Sequence, residues 1–320
     1  MKTRPTIFTL ILTTALIFMG CEADDMVGKT GEVRALDLGS GVALNTTRAA
    51  CHNRGLELVR LSGKVRYFGM NILQSPPVSY NFKGVSDVQV WLAEYPVSKL
   101  FNIRTDDDGH FEMFVVKQRG RDLNVSFMYE KDHFPSSVET MVFASELPAG
   151  WEKSLIKSNV YTVGSDDISD IAMQMPDELF LYYSKLMLEQ SITSQVGIPY
   201  SIENLAVATV GKAWASIFNP TLPHGDAGAT VVVDPPLATP PGGPIYFDET
   251  VTPNPLITST SIDGGVLLNN LSIGAHNVTA VKEGVTYDTV QFVVEPGVKL
   301  YVASPPHSIQ GSNTSGPGAP

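Results

Sequence analysis

Two segments of this chain share one spacing. Thr105-Asp106-Asp107-Asp108-Gly109-His110-Phe111 and Thr260-Ser261-Ile262-Asp263-Gly264-Gly265-Val266 both read Thr-x-x-Asp-Gly-x-apolar, 155 residues apart. An Asp-Gly pair entering an apolar residue marks a tight turn feeding a β-strand, because glycine takes the left-handed backbone conformation at no steric cost. The echo continues: Asn124-Val125-Ser126-Phe127 is matched by Asn277-Val278-Thr279-Ala280 at an offset of 153, as a loop shortened by two residues requires. Period-two runs flank the first turn: Val88, Val90 and Leu92, then Phe111, Met113 and Val115, then Leu123, Val125, Phe127 and Tyr129. Such alternation is the signature of strands with one buried face. With 27 Gly and 22 Pro in 320 residues, the chain is punctuated like a loop-rich β protein rather than a helix bundle. The expectation is two related β domains.

The N-terminus sets the compartment. Lys2 and Arg4 precede an apolar run from Ile7 to Met19, broken only by threonines. At about thirteen residues the run is too short for a membrane span of roughly 20 and reads as a secretory signal. The string Phe18-Met19-Gly20-Cys21 resembles the bacterial lipobox, which implies cleavage between Gly20 and Cys21 and a thioether lipid on Cys21. Several buried acyl chains, at about 0.8 kcal/mol per CH₂, hold a domain at a membrane without a spanning helix. Glu22 stands where that family's inner-membrane retention signal has Asp, so the resemblance implies the outer membrane or cell surface. Loss of residues 1–20, with two basic side chains and no acid, takes the net charge from −11 to −13. An acidic chain repels nucleic acid, which is excluded as a partner.

Residues 21–55 read as a flexible tether, 56–147 as the first β domain, 148–203 as a linker, 204–303 as the second domain and 304–320 as a disordered tail. The linker carries one helix over 176–190: Pro176, Asp177 and Glu178 open it, and Leu179, Phe180, Tyr183, Leu186 and Met187 form the stripe expected to dock on a β domain. The Pro-rich loop 235–244 cannot feed a sheet ladder and should project from the surface.

Both β units resemble the carboxypeptidase regulatory-like domain, a transthyretin-like antiparallel sandwich. The first does so through Leu61-Ser62-Gly63-Lys64-Val65, Val88-Gln89-Val90, Thr105 to Phe111 and Val125 to Tyr129, with a long insert at Asn71 to Gly84. The second does so through Ala229-Thr230-Val231, Thr260 to Val266 and Gly274 to Ala280. The resemblance implies an all-β fold of two tandem sandwiches and a non-catalytic binding or structural module at the cell envelope, with an envelope protein or glycan as partner. Carbohydrate binding or adhesion, and a hydrolase whose site is not recognisable in the sequence, are the alternatives.

Catalytic and cofactor motifs are missing. The six histidines, His52, His110, His133, His224, His276 and His307, show no zinc-ligand spacing. Gly39-Ser40-Gly41 lacks the spacing of a nucleophile elbow, and Gly28-Lys29-Thr30 lacks the first glycine of a phosphate loop. Asp106 to Gly109 fails as an EF-hand, because Arg104 and Val115 occupy the first and twelfth positions. Asp108, Gly109, Asp263 and Gly264 are therefore expected as structural turns, and no metal or cofactor is expected. Asp166, Asp167 and Asp170 are expected to cap or solvate the approach to the helix. The strings ending the purine-pathway hydrolases of transthyretin-like fold, and the paired Tyr and His of ring-cleaving dioxygenases, are absent. Cys51 beside His52 reads as a bland free thiol rather than a dyad. Trp91, Trp151, Trp214, Tyr246 and Phe247 are the aromatic residues able to form a sugar platform, although most such residues are core.

Overall fold

The computed structural model describes residues 32–34, 41–68, 84–134, 154–212, 225–237 and 243–313. The described chain is mostly β. Its first half holds β1 (Glu32–Arg34), α1 (Gly41–Asn53), β2 (Leu56–Phe68), β3 (Gln89–Leu92), β4 (His110–Gln118), β5 (Leu123–Glu130), β6 (Ile156–Val163) and β7 (Ile168–Pro176). After α2 (Glu178–Val196) come β8 (Leu205–Lys212), β9 (Thr230–Asp234), β10 (Ile245–Phe247), β11 (Pro253–Asn254), β12 (Gly265–Leu268) and β13 (Gly274–Val281). The last strands are β14 (Val285–Tyr287), β15 (Val290–Val294), β16 (Leu300–Ala303) and β17 (Ile309–Asn313).

One sheet runs β1-β4-β2-β7 and another β9-β13-β15. The longest runs β3-β5-β6-β16-β8-β12-β10-β11 and so passes through both halves of the chain. Alternation along the strands builds two cores. Leu61 and Met113 meet Leu92, Phe127 and Ile156 in the first. Val210, Val266, Val278, Phe292 and Tyr301 meet in the second. Each of these large apolar side chains contributes about 1.5–3 kcal/mol on burial.

The sequence repeat reappears as a repeated hydrogen-bond pattern. In the first half Val65 N donates to Gly109 O, Val85 N to Val65 O and Asp87 N to Thr105 O, while Thr105 N donates to Val88 O. In the second half Val210 N donates to Gly264 O, Asp226 N to Val210 O and Gly228 N to Thr260 O, while Thr260 N donates to Ala229 O. The two threonine hydroxyls match as well: Thr105 Oγ1 accepts from Val88 N and donates to Val85 O, and Thr260 Oγ1 accepts from Ala229 N and donates to Asp226 O. Thr in the motif is thus a buried bracket between two loop backbones, which explains why it keeps its place.

Several expectations are corrected. The sheets are not antiparallel throughout, since β2 pairs β7, β16 pairs both β6 and β8, and β17 pairs β8 in parallel. β7 lies beside β2, and β16 and β17 lie beside β8, parallel neighbours that a meander of hairpins cannot supply. The second half of the expected tether is α1, whose buried Cys51 packs with Leu58, Phe114 and Val116 on the outer face of β2 and β4. Those two strands carry apolar residues on both faces, so the outer one needs a cover. The expected linker contains β6 and β7, and the expected disordered tail contains β17, where Ile309 is fully buried. Polar composition around Ile309 hid that strand. The helix begins after Pro176, with Asp177 as its cap accepting from Phe180 N at 3.0 Å, and runs on to Gly197 in the left-handed conformation. Its docked stripe is Leu181, Leu188 and Ile192, whereas Met187 is exposed. Residues 1–31, including Gly20 and Cys21, lie outside the described residues, as do 71–83 of the insert and 238–242 of the Pro-rich loop. Among the described residues no helix is long and apolar enough to cross a membrane.

The turn glycines test this packing. Gly109 (φ +78°) and Gly264 (φ +76°) approach the backbone so closely that an added Cβ would lie 2.3 Å from Val65 O and 2.4 Å from Val210 O. Gly120 has a similar φ of +71° with open space around it. Gly109→Ala and Gly264→Ala should each lose about 3 kcal/mol in urea unfolding, against about 1 kcal/mol for Gly120→Ala, because only the first two add a backbone clash to the left-handed strain.

Candidate functional site

The parallel register of β6 with β16 ends at Ser158 opposite Val302. Beyond it the chain leaves β6, turns through Ser304 to Ser308 with a cis Pro305-Pro306 bond, and re-enters the fold as β17. The divergence opens a cleft of about 210 Å³, lined by Asn159, Tyr161 and Thr162 from β6, by His307 and Ser308 from the turn, and by Asp288 ahead of β15. Both halves of the chain thus contribute to its walls.

His307 organises the mouth. Its Nε2 lies 3.0 Å from Asp170 Oδ1, and its ring sits 5.0 Å from that of Tyr161 at 57°. Asn159 Nδ2 donates to His307 O at 3.0 Å. Asn159 Oδ1 and the Tyr161 hydroxyl are buried without a hydrogen-bond partner. Burial, with Asp170 nearby, pushes the Tyr161 hydroxyl above its ordinary pKa, so it stays protonated at neutral pH. The Ser308 hydroxyl accepts from Thr209 N at 2.9 Å and donates to Thr209 O at 2.8 Å. Its proton is therefore committed to the backbone rather than offered to His307.

The cleft is held in place by the seam beneath it. Lys157 is fully buried, and its Nζ donates to Glu295 Oε1 at 2.6 Å, while Glu295 N donates to the Tyr301 hydroxyl at 2.8 Å. Lys157 belongs to β6, and Glu295 follows β15, so the ion pair joins the two halves. Glu295→Gln leaves a buried ammonium with a weaker partner and should cost about 2 kcal/mol, discounted because Glu295 is 44% exposed. Replacing both, as Lys157→Met with Glu295→Gln, should cost less than Glu295→Gln alone in thermal unfolding.

The residues singled out by sequence have other tasks. Asp106, rather than Asp108, closes the first turn, with its Oδ1 accepting from Asp108 N and His110 N at 3.0 and 2.8 Å. In the second, Asp263 Oδ2 accepts from Gly265 N at 3.0 Å. The acidic group 166–170 does not cap α2: Asp167 bonds Arg48 and Arg60 N, tying α1 to β2, and Asp170 meets His307. Trp91, Tyr246 and Phe247 are buried, which removes them from any sugar platform, and Trp151, Trp214 and His224 lie outside the described residues. Cys51 is disulfide-bonded, correcting the free-thiol reading. Among the described residues no three His, Cys, Asp or Glu side chains gather as a metal site. A small apolar cavity between α2 and the long sheet, with Phe68, Phe180, Leu205 and Phe247 among its walls, has about 40 Å³ of room.

A second buried charge is Asp226, 4% exposed. Asp226 is opposed by burial, yet hydrogen bonds from Lys282 and Tyr287, the latter at 2.7 Å, hold its carboxyl below the ordinary value. A depressed carboxylate stabilises the fold above its unfolded pKa of about 3.9, and the contribution disappears as pH falls through the folded value. Asp226→Asn should therefore lower Tm at pH 7 and flatten its fall below about pH 4, followed by calorimetry.

No protein-family description and no curated protein matches the chain. Among solved structures, the Bacillus anthracis TIE protein aligns at 10% identity with a TM-score of 0.20, over 80% of this chain and 34% of that one. The chain thus spans about a third of that protein's length. The shaft pilin spaA from Lactobacillus rhamnosus GG aligns at 7% identity with a TM-score of 0.20, over 81% of this chain and 98% of that one.

Proposed function

We propose that the chain is an exported, non-catalytic structural or adhesion module of the cell envelope, built from two related β-sandwiches and moored by a lipid on Cys21. The repeated Thr-bracket and glycine-turn pattern supports a duplicated unit. The observation that carries the functional reading is the shared sheet across β6, β16 and β8, which joins two units that a simple linker would leave independent. Such a junction favours a body of fixed shape over one with a hinged active site. The residues with the most chemical promise, Asp106, Asp167, Asp226, Thr105 and Thr260, are engaged with backbone or with buried partners.

The mooring rests on the leader, Gly20 and Cys21. Cys21 and Cys51 are the chain's two cysteines, and one sulfur cannot carry both a thioether and a disulfide, so the lipidated form proposed here and the disulfide at Cys51 are alternative covalent states of the chain. The lipidated state therefore predicts an N-terminal peptide of increased mass that begins at Cys21, incorporates labelled palmitate and is lost with Cys21→Ala. Membrane fractions should hold the parent protein and release the variant. An unacylated protein whose gel mobility changes on reduction would reject the anchor.

A further inference from the structure

The 3₁₀ turn Pro96–Phe101 follows β3, the strand at one end of the long sheet, and presents apolar side chains to solvent: Val97 is 65% exposed, Leu100 82% and Phe101 40%. A 3₁₀ turn repeats every three residues, so Val97 and Leu100 share one face. The polar residues of the turn are drawn away from that face. Ser98 is buried, and its hydroxyl accepts from Leu92 N at 3.0 Å. Lys99 is tied back, with Nζ 4.1 Å from the centre of the Trp91 ring and donating to Glu130 Oε1 at 2.6 Å. Just beyond the turn, Arg104 is paired with Asp87 at 2.7 Å. The result is an apolar tip whose neighbouring charges are already matched.

Three side chains on one turn fall far short of the ~800 Å² per partner that a stable protein interface buries. A weak contact suffices where a covalent tether keeps the surface close. The turn lies against β1, and Cys21 stands eleven residues before Glu32, a length of chain that reaches at most about 40 Å. We infer that Val97, Leu100 and Phe101 enter the acyl boundary of the bilayer that holds the Cys21 lipid, so that the first unit rests on the membrane by this tip. The inference rests on the lipid-anchored reading above and adds a second, non-covalent contact with the same membrane. The chain is acidic and the turn's lysine is already paired, so the contact is apolar rather than electrostatic.

The test places the acylated protein in phosphatidylcholine vesicles that carry a photoreactive group on the acyl chain, and finds the lipid-modified peptides by trypsin digestion and mass spectrometry. The peptide Leu100–Arg104 should carry the lipid, and those holding Leu256 and Ile273, which are 80% and 66% exposed, should not. Val97→Ser with Leu100→Ser should cut the yield at Phe101 about tenfold, as two apolar side chains withdrawn from the bilayer require. Both positions are at the surface, so this variant should keep its Tm and stay in the vesicles through its lipid. Added salt should leave the yield unchanged. Anchored protein whose adducts lie elsewhere, or are unchanged in the double variant, would overturn the tip and leave the anchor standing. Should the chain carry no acyl group, it is added to the same vesicles from solution: adducts at Leu100–Arg104 would keep the membrane contact and remove the anchor, and none would overturn both. A dimer in sedimentation that the double variant dissociates would give the tip to a second copy of the chain and overturn the proposal.

Discussion

The structure depends on β16, a strand of four residues with neighbours on both sides. Leu300 to Val302 pair with Ile156 to Ser158 of β6, and Leu300 to Ala303 with Leu205 to Ala208 of β8. A central strand leaves few backbone groups unpaid in hydrogen bonds and buries both faces, so Leu300, Tyr301, Val302 and Ala303 are all buried. Leu300 and Val302 enter the first core, and Tyr301 and Ala303 the second. One short segment therefore takes part in both cores, and the Lys157–Glu295 pair and the cleft at His307 are set by where it ends.

The fold was legible in the sequence where its signals were local. Period-two runs gave the strands β3, β4 and β5, and the duplicated Thr-x-x-Asp-Gly spacing marked the two turns that occupy matching places. What escaped were features fixed by distant partners. Residues 41–53 carry no strong apolar period and form a helix over Leu58, Phe114 and Val116. The strand Ile309–Asn313 is written in Ile, Gln, Gly, Ser and Asn and is stabilised by pairing to β8 and β14. Parallel pairing has no signature in one strand alone, because the ladder is chosen by the connection between strands.

The candidate site was less legible. His307 is one of six histidines scattered along the sequence, and its contact with Asp170 spans 137 positions. Asn159 and Tyr161 lie within 148–203, which reads as a linker, and nothing in the sequence marks their polar atoms as unpartnered. The acidic residues that attracted notice in the sequence proved to be fasteners: Asp106 folds its own turn, and Asp167 holds α1 through Arg48. A charged residue near a glycine signals local turn chemistry more readily than ligand chemistry.

Sharing β16 also limits how this architecture can be extended. Chains of repeats whose units touch only through nearest-neighbour faces lengthen by simple copying, since each copy brings a complete surface for the next. Here β16, from the second half of the chain, is also the neighbour of β6 from the first, so a repeat inserted between them would separate β6 from the strand it needs. The two halves are committed to one another, and a segment added between them would have to leave the β6–β16 pairing intact.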